Sequence, residues 1–143
     1  MGYHADVYDG IETLLVAALP KSIPVLNGLE VEEAQLARYA ASVTILREGI
    51  DFEPHPEINP ATATKDQGET WSWVLYVTGG GGGARPKDRA DVVDEILETT
   101  QTALNAQRPT TDCGPMHLEA EDYEGRMGTA VMYSQRWRHA RRP

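Results

Sequence analysis

The chain holds one cysteine, Cys113, and one phenylalanine in 143 residues. A lone thiol cannot close an internal disulfide, so the fold must stand on packing, and the thiol suits a reducing compartment. No apolar run approaches the roughly 18 residues of a membrane-spanning helix, so no membrane partner is expected. The opening Met-Gly-Tyr-His-Ala-Asp lacks the basic and apolar stretches of a secretion signal. Asp6 also breaks the pattern for myristoylation. Bases are scarce, with 13 Lys and Arg against 22 Asp and Glu and a net charge of −9. That balance argues against sequence-specific duplex binding, which needs a broad positive footprint.

Catalytic patterns are equally thin. His4, His55, His117 and His139 are scattered and make no zinc spacing with Cys113. Ser22, Ser42, Ser72 and Ser134 stand outside any Gly-x-Ser-x-Gly setting. Gly79 to Gly83 precede a helical segment as phosphate loops do, but the chain continues Ala84-Arg85-Pro86-Lys87. A Walker loop needs a lysine followed by a hydroxyl there, so the run reads as a flexible loop instead. His117, Glu119 and Glu121 alternate, which would put them on one strand face where a metal could sit. The simpler reading is the solvated side of a half-buried strand. Cys113 would need a positioned base to act as a nucleophile, and nothing in the spacing places His117 beside it.

What is present organises around residues 69–104. Trp71, Trp73, Leu75 and Val77 fall at every second position, one face of a strand. Pro86 and Asp88 suit a helix start, and Val93, Ile96, Leu97, Thr100, Ala103 and Leu104 recur at helical spacing. Earlier, Asp6 suits a helix cap, and Val7, Ile11, Leu14, Leu15 and Ala18 form an apolar stripe that Pro20 ends. Residues 21–28 read as a connector with a turn, and residues 30–39 as a possible short helix. Val43, Thr44 and Ile45 favour a strand over 40–48. Residues 51–68 carry Pro54, Pro56 and Pro60 and read as a long loop of a hairpin. Met116, Leu118 and Ala120 mark a further strand, Gly125 a turn, and Val131, Tyr133, Gln135 and Trp137 a last strand fading into a basic tail over 136–143. The expectation is one α+β domain over 1–143. It has an antiparallel sheet of about four strands, two main helices on one face, and mobile loops at 51–68 and 79–85.

The charge is unevenly spread. Residues 1–70 carry 12 acids and 4 bases, while residues 71–143 carry 10 and 9. Arg136, Arg138, Arg141 and Arg142 follow the last acid, Glu124. An acidic body and a basic end give one subunit two complementary surfaces. Those arginines, with Trp71 and Trp73, are the candidate subunit-interface residues. Gly79, Gly80, Gly81, Gly82, Gly83 and Arg85 form a candidate docking loop.

The order of elements resembles the tail-terminator, or tail-completion, proteins of tailed bacteriophages, within the wider group of minor tail and head–tail joining proteins. The resemblance runs through Leu14 to Pro20, Ala41 to Leu46, the tryptophan-rich strand at Trp71 to Val77, the Asp91 to Leu104 helix, Tyr123-Glu-Gly-Arg126 and the final strand to Trp137. It implies a non-enzymatic virion protein without cofactors, made in the host cytoplasm and located at the tail or neck. It also implies a homo-oligomeric ring, commonly a hexamer, that caps the tail tube and joins it to the head. Partners would be the major tail tube protein and head–tail connector proteins, with DNA only in passage. A head–tail adaptor or another minor tail subunit is the near alternative. A small metal-dependent enzyme built on His117, Glu119 and Glu121, or a binding module working through the arginines, are alternatives of other classes.

Overall fold

A computed structural model describes residues 2–32, 36, 39–52, 68–80, 86–127 and 130–141, the side chains of 86–90 and 127 excepted. Among these the chain forms helix α1 (Tyr3–Ala18), strands β1 (Val25–Asn27), β2 (Ala41–Phe52) and β3 (Glu69–Gly79), helix α2 (Pro86–Leu104), and strands β4 (His117–Met127) and β5 (Ala130–Arg141). The sheet order is β1-β2-β3-β5-β4. β2, β3, β5 and β4 pair antiparallel, and β1 adds a parallel edge beside β2.

The alternation read from the sequence sets the inner face. Val43 lies opposite Val77, Ile45 opposite Leu75, and Trp73 opposite both Arg47 and Trp137. Val7, Ile11 and Leu15 from α1, and Val93, Ile96, Leu97 and Leu104 from α2, close over that face as one apolar cluster. Each such side chain withdrawn from water contributes about 1.5–3 kcal/mol before entropy is subtracted. Both helices therefore lie on one side, as their apolar stripes require.

Several boundaries differ from the sequence reading. Among the described residues the sheet has five strands where about four are expected from the sequence. β1 lies in what reads as a connector, because three residues between Pro24 and Gly28 are too few to show alternation. β2 runs on to Phe52 past a register shift between Arg47 and Gly49, so the hairpin loop starts later than residue 51. Gly79 belongs to β3, paired with Ala41 and Val131, and is not part of a loop. Gly80 takes a φ of 88°, a conformation that suits glycine. α1 starts at Tyr3 behind Gly2, and Asp6 sits in its first turn rather than at the cap. Gly125 does not turn the chain. It sits at a bulge in β4 with φ 118°, and β4 continues to Met127. The arginine end is not a tail, since β5 extends to Arg141. Half of the residues read as a short helix over 30–39, residues 53–67, Gly81 to Gly83, Arg85 and Arg142 lie outside the described residues.

Gly10 has a role beyond helix geometry. A Cβ there would stand 2.1 Å from the carbonyl oxygen of Pro109, so glycine lets α1 touch the connection after α2.

Candidate functional site

Three features of the sheet bear on function: a polar nest at the start of α1, an arginine ladder on the face opposite the helices, and the free edge at β4.

The nest forms where the inner face meets α1. Trp71 is 4% exposed and Trp73 fully buried, so both belong to the core and offer no surface to a neighbouring subunit. Their indole N–H groups find partners inside the chain. Trp71 Nε1 donates to Glu69 Oε2 at 2.9 Å, and Trp73 Nε1 donates to His139 Nε2 at 3.0 Å. A buried indole needs such a partner, since an unmade bond would leave a desolvated donor. Tyr3 packs edge-on against Trp71 with centroids 4.8 Å apart, and His4 stacks on Trp73 at 5.2 Å. Burial, helped by the charge of Arg47, holds His4 below the usual histidine range.

Cys113 closes this nest. Its Sγ lies 2.9 Å from Tyr3 Oη and 3.0 Å from Thr110 Oγ1. Burial pushes the thiol up, but hydrogen bonds from His139, Thr110 and Tyr3 outweigh it and bring Cys113 down to about 7. The same burial, with the bond to Cys113, pushes the Tyr3 phenol up. The histidine beside the cysteine is thus His139, not His117. Sequence spacing carries a partial signal, because His139 continues the two-residue period of Tyr133, Gln135 and Trp137. The thiol is fully buried, so the arrangement ties α1 to β5 and presents no accessible nucleophile.

Arg136 and Arg138 project from β5 toward the outer face, while Arg141, in phase with Trp137 and His139, lies on the helix side at the strand end. Arg136 meets Glu48 two-pronged, Nε to Oε1 at 2.8 Å and Nη2 to Oε2 at 3.0 Å. Arg138 lies between Asp51 at 3.5 Å and Glu119 at 2.8 Å. Its Nε–H misses the Glu119 oxygen in direction, so this contact is a charge pair without a hydrogen bond. Arg141 reaches Glu69 at 3.6 Å and lies over the Tyr3 ring at 4.0 Å. Each of the three pairs with acids of its own chain. They are half-exposed, so these pairs are weak and exchangeable.

β4 separates the three residues that strict alternation would put on one face. Its register shifts between Leu118 and Ala120 and again between Tyr123 and Gly125. Glu119 is therefore an extra residue in a bulge, and the strand changes phase behind it. His117 lies opposite Arg138 on the outer face, while Glu121 lies opposite Gln135 on the helix side. Glu121 Oε1 accepts from Gln135 Nε2 at 2.8 Å and from Gln101 Nε2 at 2.9 Å. The three residues do not converge, and no metal-holding cluster occurs among the described residues. Gln135, buried below Glu121, also accepts from Thr100 Oγ1 at 2.7 Å and donates to the Leu97 carbonyl. Sequence alternation placed Gln135 on the apolar face without showing this network, since its partners come from α2.

No known protein family and no curated protein matches the chain. Among solved structures, it is similar in fold to a chain from a structure described as the virion of a native gene transfer agent particle. The two are 12% identical with a TM-score of 0.60, and the match covers 99% of this chain and 95% of that one. At that identity the likeness is one of fold.

Proposed function

We propose that the protein is a structural component of a phage-like virion, a subunit that works by shape and self-association rather than by making bonds. The observation that carries this reading is the end-to-end match of fold to a chain of a gene transfer agent virion. A match over 99% of this chain and 95% of that one supports a common architecture throughout rather than one shared motif. The interior supports it too. The residues that looked chemically promising are engaged in holding elements together: Cys113 with Tyr3, and Glu121 with Gln135 and Gln101.

Within that class the narrower reading is a tail terminator. Copies of the chain would close into a ring, expected to be a hexamer, on the finished tail tube and offer the opposite side to the head connector. A ring needs two different surfaces on each subunit. The described surface supplies an acidic helix layer, with Asp91, Asp94, Glu95 and Glu98 exposed on α2, and a β5 face carrying Arg136 and Arg138. Those arginines already hold acids of their own chain, so a neighbour's carboxylates would exchange with weak pairs rather than meet bare charges. Arg142 and the glycine loop remain candidate contacts on the same reading.

Mixing the purified protein with purified tail tubes and imaging the tube ends tests the assignment. Rings seated on one end of the tubes are expected. Rings that ignore tubes but bind connector complexes would move the assignment to a head–tail adaptor. Protein that binds neither would overturn it.

A further inference from the structure

We propose that the free edge of β4 is a docking site for an extended segment that alternates basic and apolar residues, supplied by a protein other than a second β4 edge. β4 is the last strand of the sheet and pairs only with β5 among the described residues. An eleven-residue edge leaves a row of backbone donors and acceptors open to another chain. Most proteins shorten or cover such an edge. Here it is long, and among the described residues its protection consists of two bulges and charge.

The bulges set where pairing can occur. They fall at Glu119 and Glu124, and between them Ala120, Glu121, Asp122 and Tyr123 keep a regular ladder with β5. An added strand would pair along this span. On the helix side the span borders an open groove of about 520 Å³, lined by Gln101, Thr102, Asn105, Leu118 and Trp137. Tyr123, 56% exposed, points to the same side, with its ring 5.3 Å from that of Tyr133. Alternate side chains of an incoming strand would enter this groove, where Leu118 and Trp137 offer carbon beside the polar ends of Gln101, Thr102 and Asn105, with the exposed Glu121 on the same side. The others would face the outer side, where Asp122 is exposed beside the bulged Glu119 and Glu124.

Charge then chooses the partner. β4 carries Glu119, Glu121, Asp122 and Glu124 against Arg126 as its only arginine or lysine. Two β4 edges brought together would set carboxylates opposite carboxylates, which is unfavourable for directly facing pairs. Lysines or arginines at alternate positions meet the opposite situation. The same charges thus block edge-to-edge pairing between copies and favour a basic strand.

The test uses the full chain and a capped peptide of alternating lysine and valine. Two comparison peptides share its length: one N-methylated at alternate amides with the same charge, one with glutamate replacing lysine. Affinity is read by calorimetry, and the binding position by amide hydrogen exchange. The strand-competent peptide should bind at least about tenfold more tightly than its methylated form, the difference expected from losing one or two backbone hydrogen bonds. It should also slow exchange at β4 amides, and Asp122→Lys should weaken it without unfolding the protein. Equal affinity for the methylated peptide, protection away from β4, or no binding to the lysine peptide would overturn the proposal. The ring reading is independent of this result, since it is read from tube ends without any peptide.

Discussion

At the residue scale, buried polar groups decide more than exposed charges do. Trp73 has its indole N–H on His139 and its ring fully enclosed, so Trp73→Ala removes a large volume and strands a buried imidazole. A loss of about 3–5 kcal/mol is expected, measured by urea denaturation. Gly10→Ala tests a different mechanism. Its added methyl would meet the Pro109 carbonyl at 2.1 Å, a backbone atom that cannot swing aside. The expected cost is about 1–3 kcal/mol, although alanine is the better helix former. A variant as stable as the parent would show that the 105–114 connection is not held against α1. Cys113 gives a pH signature. The folded thiol ionises at about 7, against a model-thiol value of 9.0. Between those values the unfolded chain holds more protons, so stability rises with pH across that window. The advantage of the parent over Cys113→Ser should grow from pH 7 to 9 and be lost as pH falls through 7. Tyr3, pushed upward, acts with the opposite sign only above pH 10. Denaturation curves at both ends of the window check this, and a constant difference would refute it.

At the scale of elements, the strands with a clean two-residue period were legible and the irregular ones were not. β3 could be read because its four inner residues, Trp71, Trp73, Leu75 and Val77, are all large and apolar, and all lie buried where alternation puts them. α2 could be read for the same reason at a helical period. β1 is too short to show a pattern. In β4 the bulge at Glu119 shifts phase, so a rule of strict alternation sends Glu121 to the wrong face. The candidate site was less legible than the fold. Cys113 and His139 are 26 positions apart and meet only because an isolated bridge joins Cys113 to Arg141. Arg136 finds Glu48 across 88 positions, over the intervening β3. Such pairings depend on sheet order, which no local period encodes. The arginine ladder also carries a stability prediction. Arg136→Ala breaks a two-pronged but half-exposed pair and should lower the urea-denaturation midpoint only slightly. A larger loss would mark this pair as structural rather than exchangeable.

At the scale of the whole molecule, the chain combines a core closed on one face of the sheet, polar clusters that fasten elements together, and outer surfaces of unequal charge. Unequal surfaces on one subunit favour head-to-tail contact between copies, and head-to-tail contact that closes produces a ring. The same acidity keeps β4 edges from pairing with each other, which would divert subunits into unproductive pairs. Electrostatic attraction between half-exposed surfaces is screened by salt, so assembly should weaken as ionic strength rises. The most direct measurement is sedimentation of the purified chain over a wide concentration range at low salt. The account predicts a discrete closed oligomer, a hexamer on the tail-terminator reading, that gives way to monomer as salt is raised. A chain that sediments as a monomer at every concentration, and still does so when tail tubes are added, would contradict it.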